Sequence, residues 1–245
     1  MNSTLTFILV AVVTLAASYI QGATGFGFGI FAMIFLPKLL LYTEANILSS
    51  ILSALSALFV AVLMFRKIHW KNIWLPTIGC LFSTYIAVSF IKGQSSQMLS
   101  LFLGIALFLL SIYFFLFSDK IKIKPTWYAG LIAGILSGIL GGMFAIGGPP
   151  VVIYFMQSED EFDQYFATIS AYFVFLGVVS VSTKVAAGFM TVSVWTALAI
   201  SMVTMLVGSY IGKRTKELIN PNMVKKVVYG FMAISGFINI VTSLV

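Results

Sequence analysis

Charge is what this sequence has least of. Asp, Glu, Lys and Arg make up 9% of its 245 residues, where a soluble domain carries about 25%. Only seven residues are acidic, and no carboxylate lies deep inside an apolar run. That argues against the buried carboxyl relay of a proton pump. The single cysteine, Cys80, excludes an internal disulfide. The single histidine, His69, sits in a polar stretch, so no metal-ligand cluster is expected. An intramembrane enzyme is disfavoured too, because there is no nucleophile–base pair and no Gly-x-Ser-x-Gly.

What is present is apolar. Hydrophobic residues make up 60% of the chain and the mean hydropathy is +1.08. Ten helical segments fill nearly all of it, at about 4–20, 25–42, 44–65, 73–91, 97–117, 127–140, 143–157, 163–187, 192–211 and 224–244. This is the pattern of an all-α integral membrane protein with no room for a soluble domain. The first run has no basic flank before it and no cleavage site after it, so it reads as mature structure, not a signal peptide. A net charge of +7 would suggest nucleic acid in a soluble protein, but here it is expected to reflect topology. The expected partners are the lipid bilayer and a small solute, with no nucleic acid and with a homodimer left open.

Two stretches organise the chain. Residues 18–37 read SYIQGATGFGFGIFAMIFLP, with four glycines between 22 and 29. Residues 137–156 read SGILGGMFAIGGPPVVIYFM. At an offset of 119, Ser18 meets Ser137, Gly22 meets Gly141 and Gly29 meets Gly148, and the register runs on without gaps through Glu44/Asp163 and Gly93/Gly212. One unit is used twice, each copy opening with a glycine-broken apolar hairpin. The GxGxG within 25–29 follows no strand, so it is not a dinucleotide fingerprint and no cofactor is expected.

Basic residues set the orientation. If every segment turns the chain around, eleven Lys and Arg fall on one side and three (Lys38, Lys92, Lys184) on the other. If each hairpin is one broken crossing, the split is seven and seven. The positive-inside rule favours the first arrangement. It places both termini outside and the loops 66–71, 118–125 and 213–226 in the cytoplasm. Each half then has an odd number of passes, so the halves are inverted. The expectation is one membrane domain of two inverted-topology repeats of about five segments, 1–117 and 126–245, joined by a cytoplasmic linker at 118–125. Each repeat opens with a hairpin that either crosses fully or re-enters. Inverted repeats are common in secondary transporters, with the substrate at the repeat interface.

The hairpins also supply the candidate chemistry. Backbone unwound at 22–29 would present N–H groups and the positive end of the next helix to an anion. The Thr24 hydroxyl and the Gln21 amide lie beside it. In the second copy, Pro149 and Pro150 remove two donors and restart the helix. The competing reading is that small residues merely allow tight helix packing. Asn46, Ser49, Ser50, Ser53 and Ser56 form a polar stripe whose repeat mate carries Gln164, Thr168 and Tyr172. Such a stripe lines a path or bonds neighbouring helices. Glu44 and Asp163 open equivalent helices, where an acid complements the dipole. Lys184, near a helix end, either snorkels to the interface or attracts anions in the pathway. The substrate-binding candidates are Gln21, Gly22, Ala23, Thr24, Gly25, Phe26, Gly27, Gly29, Ser50, Ser53, Gly141, Gly142, Gly147, Gly148, Pro149, Tyr172 and Lys184. No catalytic or metal site is expected.

GATGFGFG at 22–29 and GGMFAIGGPP at 141–150, in this repeated context, resemble the TauE/SafE family of membrane permeases, the sulfite exporters. The resemblance covers essentially the whole chain. It falls on Gly22, Thr24, Gly25, Gly27 and Gly29, and on Gly141, Gly142, Gly147, Gly148, Pro149 and Pro150. Ile30 and Phe31 stand in the first copy where the second has the prolines, so the half-sites should be unequal. The resemblance implies export of sulfite or a small organosulfonate such as sulfoacetate. The alternatives are a permease or importer for another small anion, or a non-transporting assembly factor. An inside-negative potential is worth about 2.3 kcal/mol per charge per 100 mV, roughly fifty-fold for a monoanion moving outward without a coupled ion.

Overall fold

A chain in hydrocarbon has no water to satisfy its N–H and C=O groups, so apolar runs there bond internally as helices. The computed structural model of the protein describes residues 3–117, 124–215 and 221–244, and no strand occurs among the described residues. The first half comprises α1 (Ser3–Thr24), α2 (Phe28–Phe35), α3 (Tyr42–Leu63), α4 (Trp70–Ile91) and α5 (Ser96–Phe117). The second comprises α6 (Trp127–Phe144), α7 (Gly148–Ser158), α8 (Phe162–Ala186), α9 (Val192–Thr215) and α10 (Pro221–Leu244). Seven helices (α1, α3, α4, α5, α6, α8 and α9) are long and apolar enough to cross a membrane, which makes this a multi-pass membrane protein. Linker residues 118–123 and Lys216, counted above, lie outside the described residues.

The two glycine-rich stretches do break, but further along than the sequence suggests. α1 runs through Gly22 to Thr24, and α6 runs through Gly141 and Gly142 to Phe144. α6 is therefore an 18-residue helix, longer than the expected 127–140. The breaks fall at 25–27 and 145–147. Gly22 and Gly142 belong to helix crossings: a Cβ at Gly22 would lie 2.6 Å from the Ser209 carbonyl oxygen, and one at Gly142 would lie 2.8 Å from the Ala87 methyl. The expected helix 25–42 is likewise short, with α2 ending at Phe35 and a 3-10 turn over Leu36–Lys38. α2 and α7 have 8 and 11 residues. At 1.5 Å per residue they reach about 12 and 16 Å, well short of a ~30 Å hydrocarbon core.

Helix pairing follows the sequence register. α1 packs along α9 and α4 along α6, while α3 packs on α8 and α5 on α10. Exchanging the halves leaves this set unchanged. Small residues permit the closest crossings, as expected where no water drives helices together. A Cβ at Gly134 on α6 would lie 2.0 Å from the Pro76 carbonyl oxygen on α4. Gly134→Ala should therefore destabilise the fold by about 1–3 kcal/mol or more through overpacking, seen as an earlier thermal transition in detergent. Gly230→Ala, with nothing within 4 Å, should not. An unchanged transition for Gly134→Ala would contradict the crossing.

Polar contacts group the loops into two ends. At one end Lys67 pairs with Asp163, a hydrogen bond that raises the lysine pKa, and Asn72 donates to the Ser158 carbonyl. At the other, the Thr191 hydroxyl donates to Glu44 at 2.6 Å, and Thr6, Lys38 and Glu44 share one surface hollow. The start of α1 and the turn after α2 therefore lie at the same end. Glu44 also accepts the Leu41 N–H at 3.3 Å, the dipole-complementing role expected of it.

Candidate functional site

Gly25 (φ 84°) and Gly27 (φ 99°) take the left-handed conformation that breaks the first hairpin. The Thr24 hydroxyl closes the turn, donating to the carbonyls of Ile20 and Phe26 at 2.9 and 2.8 Å. In the second hairpin the left-handed residue is Ala145 (φ 57°). Its N–H donates to Gly141 O at 3.0 Å, and the Ile146 N–H donates to Leu140 O at 3.1 Å. Pro149 and Pro150 sit in the first turn of α7, where missing N–H groups disrupt nothing.

The two breaks touch. A Cβ at Gly29 would overlap the Ala145 carbonyl oxygen at 1.7 Å, and one at Gly148 would meet the Phe26 ring at 3.5 Å. Between them lies a cavity of about 40 Å³. A water needs roughly 10–15 Å³ of such space, so the cavity suits a few waters or one small ligand. Gln21, Gly27, Gly29, Ser50, Ser53, Gly141, Gly147 and Gly148 line it, with no acidic residue in the wall. The first turn of α2 leaves its N–H groups without intrahelical acceptors. α7 offers fewer donors, because Pro149 and Pro150 have none.

Behind this wall lies Lys184. It does not snorkel: it is fully buried, and its Nζ donates to Ser50 Oγ at 2.7 Å and to Gly141 O at 3.1 Å. Both acceptors belong to cavity-lining residues. An ammonium has three donors, and among the described residues no carboxylate pairs with this one. One turn earlier on α8, Ser180 also lines the cavity, and its buried hydroxyl has no hydrogen-bond partner among the described residues. Ser53 and Gln21 bond each other, Gln21 Nε2 to Ser53 O at 2.9 Å and Ser53 Oγ to Gln21 Oε1 at 3.0 Å.

The remaining candidates stand outside the wall. Gly22 and Gly142 serve crossings, and Ala23 is buried. Gly25 faces Phe166 and Ile169, and Thr24 bonds its own turn. Phe26 abuts Gly148, and Pro149 lines an apolar groove between α5, α6 and α7. Tyr172 donates to Ser137 Oγ at 2.9 Å, and Ser137 donates to Gly147 O, bracing the second break. The α3 stripe mostly bonds neighbours: Asn46 donates to Met143 O, Ser53 to Gln21, and Ser56 pairs with Ser209. Sequence reasoning missed Ile30, Ala54, Ala145, Ile146, Phe173, Leu176, Gly177 and Ser180. The last four precede Lys184 at helical spacing, so stepping back along α8 from that lysine would have found them.

A cavity within a multi-pass bundle, walled by two helix N-termini and backed by a buried lysine, is an arrangement suited to a membrane transporter. The family described as sulfite exporter TauE/SafE matches residues 9–238, and the chain belongs to that family. Its members are transporters, not enzymes. No curated protein and no solved structure matches the chain significantly.

Proposed function

We propose that the protein is a permease of the cell membrane that exports a small sulfur-containing anion, sulfite or a compact organosulfonate, through the cavity between the two breaks. The observation that carries this reading is the wall itself. Two helix N-termini wall a space without a single acidic side chain, and Lys184 lies behind that wall with its Nζ on Ser50 Oγ. Helix N-termini favour anions, and a buried ammonium needs a counter-charge. At about 40 Å³ the cavity favours a ligand of sulfite size over a longer one such as sulfoacetate.

The exchange-symmetric helix pairing, with the 119-residue register, supports two inverted repeats with α2 and α7 as re-entrant half-helices. The eleven-to-three division of Lys and Arg then places Val245 outside. A C-terminal reporter that is active only in the cytoplasm should stay silent, and an active one would refute the orientation.

Binding tests the substrate class. Purified protein should be thermally stabilised by sulfite and methanesulfonate, by about 2.7 kcal/mol at a hundred times Kd, and not by neutral or cationic analogues. A monodisperse protein that no anion stabilises would rule the reading out. Flux into proteoliposomes separates a permease from an assembly factor.

A further inference from the structure

The two breaks are equivalent in register, but the helices that follow them are secured differently. Beside α2, the ring of Phe231 from α10 packs edge-on against Phe31 and Phe35, with centroids 6.5 and 6.3 Å apart. The register equivalents of these three residues are Ile112, Pro150 and Tyr154. That aromatic trio is missing beside α7. An apolar groove of about 490 Å³ opens there between α5, α6 and α7, lined by Tyr113, Ala129, Ile132, Pro150, Ile153 and Tyr154.

The far end of α7 is held by polar groups instead. Glu159, the residue after the helix, buries its carboxylate. His69 Nδ1 approaches Oε2 at 2.5 Å, and Asn72 Nδ2 donates to Oε1 at 2.9 Å and to Ser158 O at 3.3 Å. The histidine contact is a close approach without hydrogen-bond alignment, since Oε2 accepts no hydrogen bond among the described residues. The His69 N–H is anchored to Thr168 Oγ1 on α8 at 3.1 Å. The register equivalents of Glu159 and His69 are Leu40 and Gly188, so α2 has no such junction. α7 is a single rod: Gly148 at its start lines the cavity, and Glu159 lies just beyond its end.

We propose that α7 is the moving gate of the cavity, and that the junction of Glu159 with His69 and Asn72 is the latch that holds it shut. The open groove gives α7 room to shift against lipid, where α2 is blocked by Phe231. A buried carboxylate deprived of a partner favours any state that returns it to water, and a rigid helix carries that displacement to Gly148. What the gate admits rests on the anion reading, but the gating is measured without substrate.

The single cysteine, Cys80, is buried. In a Cys80→Ala background, Ser180→Cys places one thiol in the cavity wall. Its labelling by a small water-soluble thiol reagent, with the protein in lipid nanodiscs, reports opening. Asn72→Ala and His69→Gln, which each strip the buried carboxylate of a partner, should each accelerate labelling by about tenfold or more, as expected when a minor open state gains population. Lys67→Gln breaks the exposed pair with Asp163 on α8 and should stay within about twofold of the parent. Ala129→Phe fills the groove and should slow labelling. Parent-like rates in both latch variants overturn the proposal, as does equal acceleration by Lys67→Gln, which would mean general loosening. If Asn72→Ala does not fold, His69→Gln and Ala129→Phe decide. Methanesulfonate should protect the thiol. Absent protection with an intact latch effect fails the anion reading alone.

Discussion

Lys184→Met is expected to weaken anion binding markedly while leaving the folded protein at least as stable as the parent without ligand. The ammonium is fully buried and hydrogen-bonded only to neutral acceptors, Ser50 Oγ and Gly141 O. Hydrogen bonds to charged groups contribute about 1.5–3 kcal/mol, so affinity should fall by roughly ten- to a hundredfold. Replacing a buried charge with apolar volume is often neutral or stabilising, so the ligand-free thermal transition should hold or rise. The two readings of Lys184 diverge here. If the lysine only ties α3 to α6, the methionine variant loses stability and keeps its affinity. Titration of methanesulfonate alongside thermal unfolding in detergent separates them.

The second large effect concerns the touching breaks. Gly29→Ala is expected to destroy the closed arrangement, because its Cβ would overlap the Ala145 carbonyl at 1.7 Å and backbone cannot swing aside as a side chain does. Overpacking of this kind costs about 1–3 kcal/mol and occasionally more. Gly148→Ala should fold, since its Cβ meets only ordinary contacts at 3.5 Å or beyond. It should still weaken binding, because the added methyl lies against Phe26 and the cavity-lining Phe173. Gly130 is a poor control for this pair: its Cβ would press on the Tyr154 ring at 3.0 Å. Gly230, with open space around it, serves better. A Gly148→Ala variant that folds and binds as tightly as the parent would remove the breaks from the site.

Ten helical segments, two glycine-rich breaks and the pairing of equivalent positions were legible in the sequence because each is a local property. Apolar runs long enough to span hydrocarbon must be helices, and a repeat register needs only self-comparison. The same logic could not say which glycines break the chain. Gly22 and Gly25 look alike in GATGFGFG, yet Gly22 is kept small by Ser209 on α9, while Gly25 turns through positive φ. Lys184 shows the limit most clearly. Near a helix end, snorkelling and burial predict the same sequence, and in a membrane protein lipid-facing and core-facing surfaces are both apolar, so periodicity cannot tell them apart. Only the packing of α8 against α3 and α6 decided that this lysine points inward, to Ser50 and Gly141. Ser180 was invisible for the same reason: its significance is a cavity wall built from both halves, and that wall exists only once they are packed together.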